Sequence, residues 1–281
     1  MKLCRYGPAG EERPGVVDAH GRLRSLYPLV SDFTADMLTP EGLQMLQAID
    51  VKKLPLVAGE PRLGAPVAGI REIYAIGLNY RDHAAEGGVA VPEYPAVFNK
   101  SITSLSGCAD PIRMPEWSKQ LDWEVELAFF IGKAARGVSA KDALAHVAGY
   151  STVIDVTERS LQIGPGGQMG HGKSLDSFTP VGPWFVTADE IGNPQELKLW
   201  LEVNGVRHQN GTTREMVFPV ATIVAHLSKY QTLQPGDLVI TGTPAGIGYG
   251  MKPQLFLRPS DRVVAGVTGL GEQSHTVVQS A

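Results

Sequence analysis

The chain has 281 residues, a formal net charge of −4, 43% hydrophobic and 19% charged residues, a balance that allows a sizeable core and argues against disorder. No basic run is present, which disfavours nucleic acid and anionic membranes as partners, and no apolar stretch approaches the ~20 residues of a bilayer span. Thirty-two Gly and 20 Pro mean many turns and favour a β-rich chain, one large domain or a small one plus a large one.

Met1–Gly7 lacks the apolar core of a signal peptide. Cys4 and Cys108 form no metal or redox motif, so the expected setting is a cytoplasm that keeps thiols reduced. Lys2–Tyr6, Gly15–Asp18 and Arg22–Leu26 read as strands, and the turn Asp18-Ala19-His20-Gly21 joins the last two as a hairpin. Thr39 caps a helix that opens with Pro40 at its first position and runs to about Ile49. Pro55, Pro61 and Pro66, with Gly59 and Gly64, then mark a linker. The expected boundary lies near residue 69, with 1–69 a small packing module and 70–281 the functional domain.

From Arg71 the character changes. Glu72–Ile76 is a short strand, followed by a short helix over 80–86 with Asn79 as its cap and Gly87-Gly88 at its end. His83 and Glu86 sit at i and i+3 of that helix and share a face. A carboxylate beside an imidazole fixes its tautomer and raises its basicity; an ordinary surface contact is the bland alternative. Ala96–Asn99 forms the next strand and Lys100 closes it.

Leu121–Ile131 reads as one strand, rich in aromatic and β-branched residues. Alternation puts Trp123, Val125, Leu127, Phe129 and Ile131 on one face, and Glu124 and Glu126 on the other with Ala128 and Phe130. At about 5 Å and an effective dielectric near 20, two such carboxylates repel by about 3 kcal/mol. A cation between them removes that cost, and an all-oxygen ligand set suits Mg²⁺, Mn²⁺ or Ca²⁺ over zinc. The competing reading is an amphipathic edge strand with two solvated glutamates.

Ser139-Ala140-Lys141-Asp142 resembles a capping box opening a helix to His146. Gly149–Val156 is a strand, and Asp155 is an acid inside its β-branched run, again a position that wants a cation or donors. A helical turn follows over Thr157–Gln162, then the flexible Gly164-Pro165-Gly166-Gly167. Leu197, Leu199, Leu201 and Val203 alternate before the hairpin signal Asn204-Gly205. Pro219–Tyr230 is a helix, Leu238–Ile240 a strand, and strand-like segments close the chain. Three carboxylates, Glu124, Glu126 and Asp155, leave about half of an octahedral shell open for substrate and water. With a divalent ion they sum to −1, so an anionic substrate needs a nearby cation; Lys173 and Arg159 are candidates by residue type.

The stretches YAIGLNYRDHAAE, DWEVELA, IDVTERSLQ, GHGKSLDSFTPVGP and TGTPAGIG, in this order and spacing, resemble the fumarylacetoacetate hydrolase family over about residues 70–278. The resemblance implies an α+β, β-rich mixed roll of packed sheets behind a small leading domain, usually a homodimer, with a Mg²⁺ or Mn²⁺ site. The family's metal ligands fall on Glu124, Glu126 and Asp155, and its general-base pair on His83 and Glu86. Its lysine falls on Lys173, its Arg and Gln on Arg159 and Gln162, and its threonine on Thr243; His171 lies in the more variable loop as a substrate-tuning position. The implied reaction is hydrolysis of a 2,4-diketo acid to pyruvate and a carboxylic acid. A sugar-derived 2,4-diketo-3-deoxy acid and fumarylpyruvate are substrates to consider. Oxaloacetate decarboxylation, 2-hydroxydienoate isomerisation and ureidoglycolate cleavage are the rivals on the same platform. A non-catalytic scaffold with a structural metal is the rival from another class.

Overall fold

Alternation along the Glu124/Glu126 stretch decides the architecture. In the computed structural model, which describes residues 1–280, Trp123, Val125, Leu127, Phe129 and Ile131 enter one hydrophobic cluster, and Ala128 and Phe130 enter another. Both faces are covered, so the strand lies inside a sheet and the solvated edge-strand reading is excluded. The stretch is nevertheless two strands, not one. Leu121–Asp122 pairs with Thr157–Glu158, whereas Val125–Ile131 lies between Val147–Ile154 and Leu238–Ile240. Side chains cause the break by taking over ladder positions. Asp122 accepts from the Trp123 N–H at 2.8 Å, and Gln209 Oε1 from the Val125 N–H at 2.9 Å.

The large sheet has ten strands. Its order is Leu23–Ser25, Arg13–Val17, Lys2–Tyr6, Thr179–Thr187, Val147–Ile154, Val125–Ile131, Leu238–Ile240, Ile73–Gly77 and Ala96–Lys100, with Leu105–Ser106 added beside Thr179–Thr187. A second sheet of five strands runs Val206–Thr212, Lys198–Val203, Arg262–Val267, Gly271–Ser280 and Ile112–Pro115. Leu199, Leu201, Val263 and Ala265 of the second sheet share a cluster with Leu127 and Phe129 of the first, so the main core lies between the sheets. The helix Val220–Tyr230 adds Ile223, Val224 and Leu227 to that core. No helix among the described residues is long and apolar enough to cross a membrane.

Residues 1–69 extend the same sheet through the antiparallel pairing of Lys2–Tyr6 with Thr179–Thr187. Leu26, Phe33, Leu38 and Leu46 cover the sheet's other face, in one cluster with Ala75, Phe130 and Val153. Arg62 clamps Asp110 through two 2.6 Å bonds and also reaches Glu12 at 2.8 Å. Burial alone would raise the Asp110 pKa, but Arg62 and the Gly107 N–H outweigh it and hold the carboxyl below its usual range. The folded pKa is depressed, so this stability is present above the unfolded value of about 3.9 and is lost as pH falls through the folded one. Asp110→Asn is expected to cost about 1 kcal/mol in urea titrations at pH 7. The difference from wild type should shrink at pH 3.

Local capping follows the sequence in most places. Thr39 Oγ1 accepts from the Gly42 N–H at 3.1 Å to start Pro40–Gln47, and Asn204 and Gly205 take φ of 52° and 80° in their hairpin turn. Two details differ. Ser139 donates to Asp142 at 2.7 Å but opens only a 3₁₀ turn, Ala143–His146. Asn79 does not cap Arg81–Glu86, whose N-cap is Tyr80. Its buried amide instead donates to Thr241 O at 2.7 Å and Phe218 O at 3.1 Å, and accepts from the Phe218 N–H at 2.8 Å. Three long-range bonds outcompete one local cap and tie the start of this helix to the sheet.

Candidate metal centre and active site

Register brings the acids together. Val153 pairs with Glu126 and Ile154 with Val125, so Asp155 arrives beside Glu124, whose carbonyl accepts the Asp155 N–H at 2.8 Å. One carboxylate oxygen from each of Glu124, Glu126 and Asp155 lies within 4.8 Å of the others, and all three residues are buried. In an octahedral shell with bonds near 2.1 Å, ligand oxygens stand about 3.0 Å apart when adjacent and about 4.2 Å when opposite. Binding an ion would draw the three oxygens inward toward those separations.

The surrounding charges are sorted. Lys173 Nζ donates to Glu124 at 2.8 Å, Asp155 at 2.5 Å and the Thr157 hydroxyl at 2.9 Å, using all three ammonium protons. Lys100 donates to Asp155 and to Phe178 O. Arg159 pairs with Asp122 and Glu124, each at 2.8 Å, and its Nη1 donates to Gln162 Oε1 at 2.8 Å. Asp122 in turn accepts from the N–H groups of Gly248 at 2.7 Å and Tyr249 at 2.9 Å.

Burial pushes both glutamate pKa values up. At Glu124, Lys173 and Arg159 more than offset it and hold the carboxyl at about 2. At Glu126, Asp155 and Glu124 add to burial and raise it well above the usual range. Glu126 has only the Gly242 N–H, at 2.7 Å, and no ion pair among the described residues. Gly242 is required there. Its φ is +93°, and an added Cβ would lie 2.7 Å from the Asn79 Cβ. A buried carboxylate without a cation, beside two others, is the donor set of a divalent-ion site, so the residues fit Mg²⁺ or Mn²⁺.

His83 lines the same cavity, with Glu86 beside it. His83 Nδ1 is 3.5 Å from Glu86 Oε2, close but not fully hydrogen-bonded, and neither atom has another partner among the described residues. The other Glu86 oxygen accepts from the Gly246 N–H at 3.0 Å. Glu86 fills the space a side chain would need at Gly250, where an added Cβ would lie 2.3 Å from its Cγ and Cδ. The imidazole is thus backed by a carboxylate seated from behind.

The cavity has a volume of about 320 Å³ and is lined by His83, Glu124, Asp155, Arg159, Gln162, Lys173 and Thr243 among others. Thr243 borders it, but its hydroxyl donates to Val125 O at 2.8 Å and accepts from Gln209 at 2.7 Å, so it shapes the strand break. His171 is exposed and lies outside the lining; Met169 of its short helix lines the cavity instead. Sequence reasoning missed Lys100, Asp122 and Gln209. A lysine ending an apolar strand and an acid just before Trp123 were available signals for the first two. Gln209, on the second sheet, had no local signal.

With this geometry in place, comparison with known proteins is specific. The fumarylacetoacetate hydrolase C-terminal family model matches residues 72–278. A Burkholderia lata protein, named as a hydrolase without a substrate, is 53% identical over 98% of this chain and 99% of its own. The fumarylacetoacetate hydrolase of Exiguobacterium antarcticum has a TM-score of 0.89 at 36% identity, covering 100% of both chains. Maleylpyruvate hydrolase from Sphingobium sp. SYK-6, solved with manganese(II) and pyruvate, has a TM-score of 0.84 at 29% identity and 100% coverage of both. The 2-hydroxyhepta-2,4-diene-1,7-dioate isomerase of Mycobacterium marinum shares the fold at 29% identity and TM-score 0.76, covering 100% of this chain and 99% of its own.

Proposed function

The chain belongs to the fumarylacetoacetate hydrolase family, and from that footing we propose that it hydrolyses the C3–C4 bond of an acylpyruvate, a 2,4-diketo acid, with a divalent cation. The observation that carries the reading is the placement of His83, backed by Glu86, on the same cavity as Glu124, Asp155 and Lys173. A general base and a buried acidic cluster serve different steps, and water activation needs the base. Decarboxylation and isomerisation do not need an attacking water.

Held by Glu124, Glu126 and Asp155, Mg²⁺ or Mn²⁺ supplies Lewis acidity for the 2-keto acid half of the substrate. His83 takes a proton from water, and Glu86 steadies the imidazolium from 3.5 Å. The water oxygen bonds to C4. The C3–C4 bond breaks, its electron pair is drawn toward the 2-keto group, and His83 returns the proton to C3. The products are RCOO⁻, pyruvate and one released proton. Every Lys173 ammonium proton already has an acceptor, so Lys173 neutralises the acidic cluster. The Gln162 NH₂ group, whose partner among the described residues is the Met169 thioether at 2.9 Å while its Oε1 is held by Arg159, is the better-placed donor for the oxyanion at C4.

Four carboxylates, Asp122, Glu124, Glu126 and Asp155, and three cations, Lys100, Arg159 and Lys173, make up the cluster. Their formal charge is −1, and a divalent ion brings it to +1, which matches a substrate with one carboxylate. The test is release of pyruvate from acylpyruvates in Mg²⁺ or Mn²⁺, with the second acid quantified. Equal amounts of both, abolished by EDTA and by His83→Ala, are expected. Pyruvate from oxaloacetate alone would overturn the reading in favour of decarboxylation.

A further inference from the structure

The cavity changes character from floor to rim. Its floor holds buried charge: Glu124, Asp155, Arg159 and Lys173. Its rim is apolar and open to solvent, with Val89, Ile163 and Met169 exposed by 47, 53 and 39%. Phe98 and Ile247 line the cavity as well. Large apolar side chains left in water around a polar floor mark a surface kept for a ligand.

The lining cations are also committed. Lys173 is held by Glu124, Asp155 and Thr157, and Arg159 by Asp122, Glu124 and Gln162. The remaining basic group, His83, faces Glu86. The ion-loaded cluster has charge for one carboxylate, and that is the pyruvoyl carboxylate. A second carboxylate, at the far end of the acyl chain, would lie against Val89, Ile163 and Met169 with no cation to receive it. Burying an unpaired charge against apolar surface is strongly unfavourable.

We infer that the acyl half of the substrate is uncharged and apolar, a short alkanoyl or alkenoyl group, with Val89, Ile163 and Met169 forming its subsite. The inference rests on the acylpyruvate reading above and narrows it. It sets aside fumarylpyruvate and the polyhydroxylated sugar-derived acids as preferred substrates. The volume of about 320 Å³ is at the small end of ligand cavities, which limits the acyl group to a few carbons.

The test compares kcat/KM of the full-length protein with Mg²⁺ for acetyl-, butanoyl-, crotonyl- and fumarylpyruvate. Crotonyl and fumaryl share a four-carbon alkene and differ in a terminal methyl against a carboxylate. Crotonylpyruvate is expected to exceed fumarylpyruvate by about 100-fold or more, given what an unpaired buried charge costs. Butanoyl should exceed acetyl by about tenfold, two methylenes at about 0.8 kcal/mol each. Ile163→Arg, and independently Val89→Arg, should lower the crotonyl-to-fumaryl ratio at least tenfold by offering the missing cation. Both residues are at the exposed rim, so folding should tolerate either change. A wild-type preference for fumarylpyruvate, or ratios unmoved in both variants, overturns the inference while leaving acylpyruvate hydrolysis standing. No pyruvate from any of the four would overturn the hydrolase reading itself.

Discussion

Replacing His83 by alanine is expected to lower kcat on an acylpyruvate by about 10²–10⁴-fold, the range for removal of a positioned general base. His83 lines the cavity, and its Nδ1 has no hydrogen-bond partner among the described residues, lying 3.5 Å from Glu86 Oε2. Thermal stability and Mn²⁺ affinity should therefore stay close to wild type. Glu86→Gln separates positioning from proton transfer. Its Oε1 can still accept from the Gly246 N–H, but a neutral amide stabilises imidazolium poorly. Turnover should fall, but by less than in His83→Ala, because the imidazole and its Gly246-anchored neighbour stay in place while the charge that steadies imidazolium is lost. Equal loss of metal binding and turnover in Glu86→Gln would contradict the assigned role.

Glu126→Gln should act with opposite signs on metal affinity and metal-free stability. Removing one of three ligands should weaken Mn²⁺ binding by more than the roughly 10–100-fold typical of outer partners. Without metal, the native carboxylate is buried beside Asp155 and Glu124, and its pKa is raised well above the usual range. A carboxyl whose folded pKa is raised contributes stability below its unfolded pKa of about 4.3, and that stability is lost as pH rises toward the folded value. The glutamine carries no such penalty and keeps the Gly242 bond. In EDTA, Glu126→Gln should melt above wild type near neutral pH, by about 2–4 °C for each kcal/mol recovered, and the gap should close toward pH 4. With Mn²⁺ in excess the order should reverse, since metal stabilises only the protein that binds it. A variant less stable than wild type in EDTA at pH 7 would contradict this picture of the cluster.

The sequence carried much of the site because the chemistry sits at strand ends, where alternation is informative. Glu124, Glu126 and Asp155 interrupt apolar β-branched runs, and such interruptions are rare without a partner. The structure brings these three together with His83, Glu86, Arg159, Gln162, Lys173 and Thr243 on one cavity or at its edge. What local pattern could not show was where long-range hydrogen bonds replace local ones. Asn79 has the look of a cap but is drawn away by Phe218 and Thr241, more than 130 residues distant in the chain. Asp122 and Glu124 lie on one apparent strand, yet Gln209 from the second sheet splits it. Lys100 looked like a strand's polar end, and only the fold shows that it faces Asp155. Thr243 and His171 were legible as positions in motifs, but whether a hydroxyl is free or an imidazole faces the cavity depends on neighbours that the motif does not contain.

Addition of water across a carbon–carbon bond leaves an isotopic trace. When an acylpyruvate is turned over in H₂¹⁸O and the products are resolved by mass, one ¹⁸O atom is expected in the released carboxylic acid and none in the carboxylate of pyruvate, with both products lost in His83→Ala. An isomerised substrate of unchanged mass, or carbon dioxide with no labelled acid, would contradict that addition.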